Sequence, residues 1–307
     1  MNYKQRAALL IILVAAICGL AIWGVVKFRY RGLTTTADWL EHLPTQDGLV
    51  FYADFAAMRS AGVLRNLAGA KVAEEPEYKV FVLKTDFDYS RDLDAVLACF
   101  TPQSKFFVVK GRFDWGSLQS YTREQGGNCR NGLCRMNGST ADRKISFFPL
   151  RPELMGLAVS PDDSAATEVE PVATKRRTIQ VPSAPLWVSI PPAMLRSATA
   201  LPEGTRMFAR SMENTRDITI ALEPRDDRFE ATLNVECRST EQAAILADQL
   251  TRITTVLREM IEKDKQTPNP RDLSGVLTSG SFSHVGMRVL GSWKLERAFL
   301  DGLLNGS

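Results

Sequence analysis

Histidine is nearly absent: His42 and His284 are the only two in 307 residues, so a zinc site or a Ser-His-Asp triad has little to be built from. No G-x-x-x-x-G-K-[ST] loop and no G-x-S-x-G elbow occurs, which excludes the commonest phosphate and acyl-transfer signatures. Nothing in the chain calls for a cofactor. The five cysteines include no C-x-x-C pair, which removes the usual redox and metal spacing. Acidic residues are missing before Asp38, and Lys4, Arg6, Lys27, Arg29 and Arg31 carry all the charge of that region. Without those five, 38 basic residues become 33 against 35 acidic ones, a net of −2 where the whole chain has +3. The bulk of the protein therefore lacks a global positive field, and nucleic acid is not an expected partner.

What is present is enough to fold. Hydrophobic residues make up 45% and charged residues 24%, an ordinary globular balance. Residues 7–26, AALLIILVAAICGLAIWGVV, contain no charge; as a helix, twenty residues span roughly 30 Å, the thickness of a bilayer's hydrocarbon core. This segment reads as an N-terminal transmembrane helix, with the lipid bilayer as its partner. The apolar run continues through Ile22, Trp23 and Val26 without a small-x-small site, so it reads as a retained signal anchor. Cys18 lies inside the run behind the bulky Ile17, which suits helix packing or lipid contact better than lipid attachment. Orientation is not given by charge, because Lys4, Arg6 and the amino terminus balance Lys27, Arg29 and Arg31. Export of a large domain behind a short basic tail is the usual outcome, which places the rest of the chain outside the cytoplasm. The inverted alternative is a cytoplasm-facing membrane adaptor.

The fold class expected is α+β: the transmembrane helix followed by two tandem, divergently duplicated α+β units with mostly antiparallel sheets. Residues 1–31 form the anchor and its basic flanks, 32–47 a juxtamembrane stalk, 48–160 the first unit, 161–184 a linker and 185–307 the second unit. LWVSIPPAMLRSA at 186–198 aligns without a gap on LVFYADFAAMRSA at 49–61, an offset of 137. At an offset of 125, Asp92 meets Asp217 and Asp114 meets Ser239, each pair just ahead of a strand or a helix. Asp54 and Asp114 are helix caps, and Ser239 with Gln242 reads as a capping box opening a long amphipathic helix. The apolar stripe of that helix is wide, which favours docking on a sheet; self-association into a homo-oligomer is the alternative. Leu295–Leu304 reads as a closing helix.

Four features carry side chains suited to chemistry or binding. Cys129 and Cys134 flank Asn131-Gly132, a tight-hairpin signal that brings the thiols together as a candidate disulfide. Lys175, Arg176 and Arg177 form a basic triplet in the linker, a candidate interaction patch. Ser279, Ser281 and Ser283 lie close to His284, but strand alternation turns Ser281 and Ser283 away from it. Asp86, Asp88, Asp92 and Asp94 lack the order and the closing glutamate of a calcium loop, and no metal site is expected from them.

The turns FDYSRDLD, residues 87–94, and GRFD, residues 111–114, resemble those of single-pass envelope proteins of bacteria in which an N-terminal anchor precedes repeated α+β units. The resemblance implies a bacterial inner-membrane setting and no catalytic residues. The function expected is non-catalytic: an extracytoplasmic binding or scaffolding protein of the cell envelope, taking an envelope protein or ligand as partner. A carboxylate-dependent envelope hydrolase using Asp88 and Asp92 is the rival.

Overall fold

The structure is a computed structural model that describes residues 33–62, 64, 76–138, 140, 142–169, 177–196, 203–225, 228–265 and 267–299. It divides after Glu41 into two units. The first contains helix α1 (Thr36–Leu40), opened by a capping box. Asp38 N donates to Thr35 Oγ1, and Asp38 Oδ2 accepts from the N–H groups of Thr34 and Thr35. Burial alone would raise the pKa of Asp38, but these hydrogen bonds outweigh it and hold the carboxyl below its ordinary value.

The second unit, from His42 onward, is built on a single antiparallel sheet. In chain order its elements are β1 (Leu49–Asp54), α2 (Phe55–Ser60), α3 (Pro76–Thr85), α4 (Tyr89–Asp92), β2 (Leu93–Phe100), β3 (Lys105–Gly111) and α5 (Trp115–Glu124). There follow β4 (Asn128–Arg130), β5 (Leu133–Asn137), β6 (Lys144–Arg151), β7 (Leu154–Ser160) and a 3-10 turn at Ala165–Val169. The remainder is β8 (Leu186–Ile190), α6 (Pro192–Leu195), α7 (Glu203–Met212), β9 (Asp217–Arg225), β10 (Arg228–Glu236), α8 (Thr240–Lys263), α9 (Leu273–Ser279), β11 (Ser281–Val285) and β12 (Arg288–Glu296). Among the described residues twelve strands lie in the order β11-β12-β10-β9-β8-β1-β2-β3-β7-β6-β5-β4.

The fold-class expectation is corrected by this order. Two units with sheets of their own are not formed; β1 and β8 pair antiparallel, and one sheet runs through both halves of the chain. Alternation and turn residues identify strands but not their partners, and the first strand of each half has an edge with no neighbour inside that half. Phe51 lies opposite Val188, its counterpart at the offset of 137. Outward from this junction the order is β1-β2-β3-β7-β6 on one side and β8-β9-β10-β12-β11 on the other, with the β4–β5 hairpin added beyond β6. The transmembrane helix expected over 7–26 lies outside the described residues, and no helix among the described residues is long and apolar enough to cross a membrane. Of the closing helix expected over Leu295–Leu304, the described residues show the start two positions later: β12 continues to Glu296, helical residues occupy 297–299, and 300–307 lie outside the described residues. Helix α9 was not anticipated.

Helices cover one face of the sheet, here called the back. Asp54 accepts from Ala57 N at 2.7 Å to start α2, whose Met58 packs on Phe51, Ala53 and Leu186. Asp114 accepts from the N–H groups of Gly116 and Ser117 to start α5, which sets Leu118 on Val109, Phe147, Met155 and Leu157. Ser239 accepts from Gln242 N, while the Gln242 side chain reaches the preceding Arg238 N–H. The 24-residue α8 so opened buries Ala243, Leu246, Ala247 and Leu250 against Ile218, Leu233, Val235 and Val289.

Candidate functional site: a hydroxyl-lined groove on the open sheet face

The other face, the front, is followed by reading the register across all twelve strands. One row runs Ser283, Leu290, Asn234, Thr219, Ser189, Val50, Cys99, Phe106, Ala158, Ser146, Arg135, Asn128. A neighbouring row runs Ser281, Ser292, Thr232, Ala221, Trp187, Tyr52, Leu97, Val108, Gly156, Phe148. From Ser189 to Ser146 the first row is fully buried. Residues 42–48 lie over it, with Cys99 Sγ donating to Pro44 O at 3.4 Å and Leu43 and Thr45 buried. A Cβ on Gly48 would collide with Cys99 Sγ, so only glycine allows this approach. The 3-10 turn completes the cover: Ala166 N donates to Ser146 Oγ at 3.0 Å, Val169 rests against Gly156, and the Val169 carbonyl meets His42 Nδ1 at 2.9 Å.

This cover stops at the ninth strand. Residues 177–183 form a strap fixed by Arg177, whose Nη1 donates to Asp217 Oδ1 at 2.6 Å and whose Nη2 reaches the carbonyls of Gly48 and Ser189. Its backbone N–H donates to Thr45 Oγ1. Asp217 in turn accepts from Ser189 Oγ and Thr219 Oγ1. Further along the strap Gln180 Oε1 accepts from Asn234 Nδ2 at 3.3 Å. Beyond this, the front of β10, β12 and β11 is bare among the described residues. Strap and strands enclose a groove of about 610 Å³, and no charged residue lines it. Its floor is formed by the outer ends of the two rows, in which Thr219, Thr232, Asn234, Ser281, Ser283 and Ser292 supply hydroxyls and an amide while Ala221 and Leu290 are apolar. Leu290 is 40% exposed there, and Ser281 and Ser292 join hydroxyls at 2.9 Å. Such a floor suits a neutral ligand with both hydrogen-bonding and apolar parts, and it offers no positive charge to a phosphate.

The fold is similar to that of a solved structure. Crystal form I of TP0453 matches with a TM-score of 0.50 at 12% identity, over 87% of this chain and 96% of that one. Crystal form III of TP0453 gives 0.49 at 12% identity over 87% and 98%. No family model matches, and no curated protein matches. At this identity the likeness is one of fold alone.

Most of the candidate residues read from the sequence lie away from the groove. Cys129 and Cys134 face each other across β4 and β5 and are joined in a disulfide. The turn between them has Asn131 at φ 52° and Gly132 at φ 82°, the left-handed pair that a two-residue hairpin demands. Lys175 and Arg176 lie outside the described residues; Arg177 is the buried anchor of the strap. Ser281 and Ser283 are on the groove floor, and His284 is on the opposite face. The groove is not legible in the sequence, because it depends on the pairing of β10 with β12 and on a strap that precedes β8.

The four aspartates each hold structure together. Asp88 caps α4, accepting from Ser90 N, Ser90 Oγ and Tyr78 O–H. Buried Asp92 is held by Arg91 at 2.8 Å and Arg112 at 2.9 Å, and it accepts from Asp88 N. Burial would raise both carboxyl pKa values, but the hydrogen bonds from Ser90 to Asp88, those from Arg91 and the Asp88 N–H to Asp92, and the nearby guanidinium charges bring both below the ordinary range. Asp86 pairs with Arg91, and Asp94 with Arg59. A general acid needs its proton near neutral pH, and both members of this pair are instead held ionised, which counts against the hydrolase. Among the described residues no three of His, Cys, Asp and Glu come together as a metal site.

Proposed function

We propose that this chain is a non-catalytic binding protein of the bacterial cell envelope, held at the inner membrane through residues 7–26 with its sheet outside the cytoplasm, and that the front-face groove is its ligand site. The observation that carries the reading is the unequal cover of the front: residues 42–48 and the 3-10 turn seal the face over β8, β1, β2, β3, β7 and β6, while over β9 to β12 the same rows end in an uncharged, hydroxyl-lined groove. The Cys129–Cys134 disulfide supports an oxidising compartment. The apolar run at 7–26 supports the attachment.

Two measurements test it. A membrane-impermeant maleimide applied to whole cells is expected to label Cys129 and Cys134 only after reductant is added; labelling that needs lysis and no reductant overturns the export. A photo-crosslinking residue in place of Leu290 is expected to yield an adduct in intact envelopes that the same residue at Arg130, far across the sheet, does not. Equal yields from both positions overturn the groove as the site.

A further inference from the structure

We propose that β11 is a pairing edge for a second copy of this chain: two copies join antiparallel along Ser281–Val285, centred on Ser283, and their sheets become continuous. This inference does not rest on the binding role. β11 ends the sheet; its inner edge is on β12 and its outer edge meets no strand among the described residues. Alternate backbone N–H and C=O groups of a terminal strand point outward unpaired, and these groups form hydrogen bonds to another strand.

Edges of natural sheets are ordinarily guarded by charge, proline, bulges or brevity. The opposite edge is guarded in this way: β4 has three residues, carries Arg130 and is stapled by the disulfide. β11 has five residues, no charge, no proline and an unbroken register from Ser281↔Ser292 to Val285↔Arg288. Exposed apolar side chains accompany it, with Val285 67% and Met287 44% exposed.

A second copy suits this edge because the strand is complementary to itself. Antiparallel pairing about Ser283 sets Ser283 against Ser283 of the second copy, Ser281 against Val285, and Phe282 against His284 on the helix-covered side. No like charges meet, the small residue lies at the centre, and an aromatic pair forms twice. On the front, the groove is open toward β11, and the second copy's Ser283 and Leu290 would continue its floor.

The test uses the full chain in detergent with Cys18 replaced by alanine; Cys129 and Cys134 are already bonded, and Cys99 and Cys237 are buried. Opposed Cβ atoms in an antiparallel pair lie about 4.5–5.5 Å apart, close to disulfide reach. Ser283→Cys is therefore expected to give a covalent dimer on mild oxidation. Ser281→Cys alone should not, whereas a mixture of the Ser281→Cys and Val285→Cys variants should. In sedimentation, Ser283→Lys, which opposes two cations, is expected to weaken association roughly tenfold, with the denaturation midpoint unchanged when taken at a concentration where both chains are monomeric. A parent chain that sediments as a monomer at every concentration overturns the proposal, and so does a dimer that Ser283→Lys leaves intact and Ser283→Cys does not cross-link. Protection, in a monomeric chain, of those β11 amides that do not bond to β12 would assign the outer edge to a different strand and overturn it as well.

Discussion

Arg177 and Asp217 show how one side-chain pair ties distant chain together. The guanidinium lies beside the β9 carboxylate and the carbonyls of Gly48 and Ser189, so it joins the strap, the segment ahead of β1, and β8. Removing one partner from a buried pair leaves the other charge without compensation, a loss of about 3–5 kcal/mol. Arg177→Ala is expected to lower stability by that order in urea denaturation, with the Arg177→Met/Asp217→Val double variant losing less. Asp92 gives a pH signature with a fixed sign. Its folded pKa lies below its unfolded value, so its contribution is fully present above about pH 4 and is lost as pH falls through the folded pKa. Asp92→Asn should thus flatten the acid limb of the stability-pH curve; an unchanged limb would remove Asp92 as a contributor. Cys99 provides a third check. Burial pushes its thiol up to about 12, partly offset by the Arg177 charge, and the folded chain should leave it unmodified by maleimide at neutral pH.

At the scale of elements, local sequence chemistry did much of the specifying. Asp54, Asp114 and Ser239 are legible caps because a short oxygen-bearing side chain before an apolar run has one productive use, accepting from the first free N–H groups. Ser239→Ala is expected to destabilise α8 by about 1 kcal/mol, read as a shift in denaturation midpoint. The β4–β5 hairpin is legible for a similar reason, since Asn-Gly accepts the positive φ that the turn requires. Its disulfide closes a short loop, and a Cys129→Ser/Cys134→Ser double variant should lose about 2 kcal/mol by the same measurement. Helix α9 leaves little mark on the sequence: it is seven residues long with Gly275 inside it, and Asp272, which caps it by accepting from Ser274 N, sits just after two prolines.

For the molecule as a whole, the continuity of the sheet has a measurable consequence. With β1 bonded to β8 through four paired positions, and Tyr52 stacked on the almost fully buried Trp187 at 5.5 Å, the halves share a core. Denaturation from His42 onward is expected as one transition, with tryptophan fluorescence and far-ultraviolet dichroism coincident; two resolved transitions would mean that the halves fold independently. The correspondence of Asp92 with Asp217 was visible in the sequence, and both prove to be buried carboxylates held by arginine. What their arginines are was not visible, since Arg91 and Arg112 are close in sequence to the first while Arg177 comes from the polar segment taken for a linker. The sequence by itself determined the strands, caps, hairpin and disulfide, because each depends on residues within a few positions of one another. Only the tertiary structure decided that two halves make one sheet, that residues 42–48 and 165–169 seal its front on one side, and that the other side is left as a groove. Strand partners and face coverings are set by which long-range burial leaves the fewest backbone groups and apolar side chains in water, and that competition leaves no local mark on the chain.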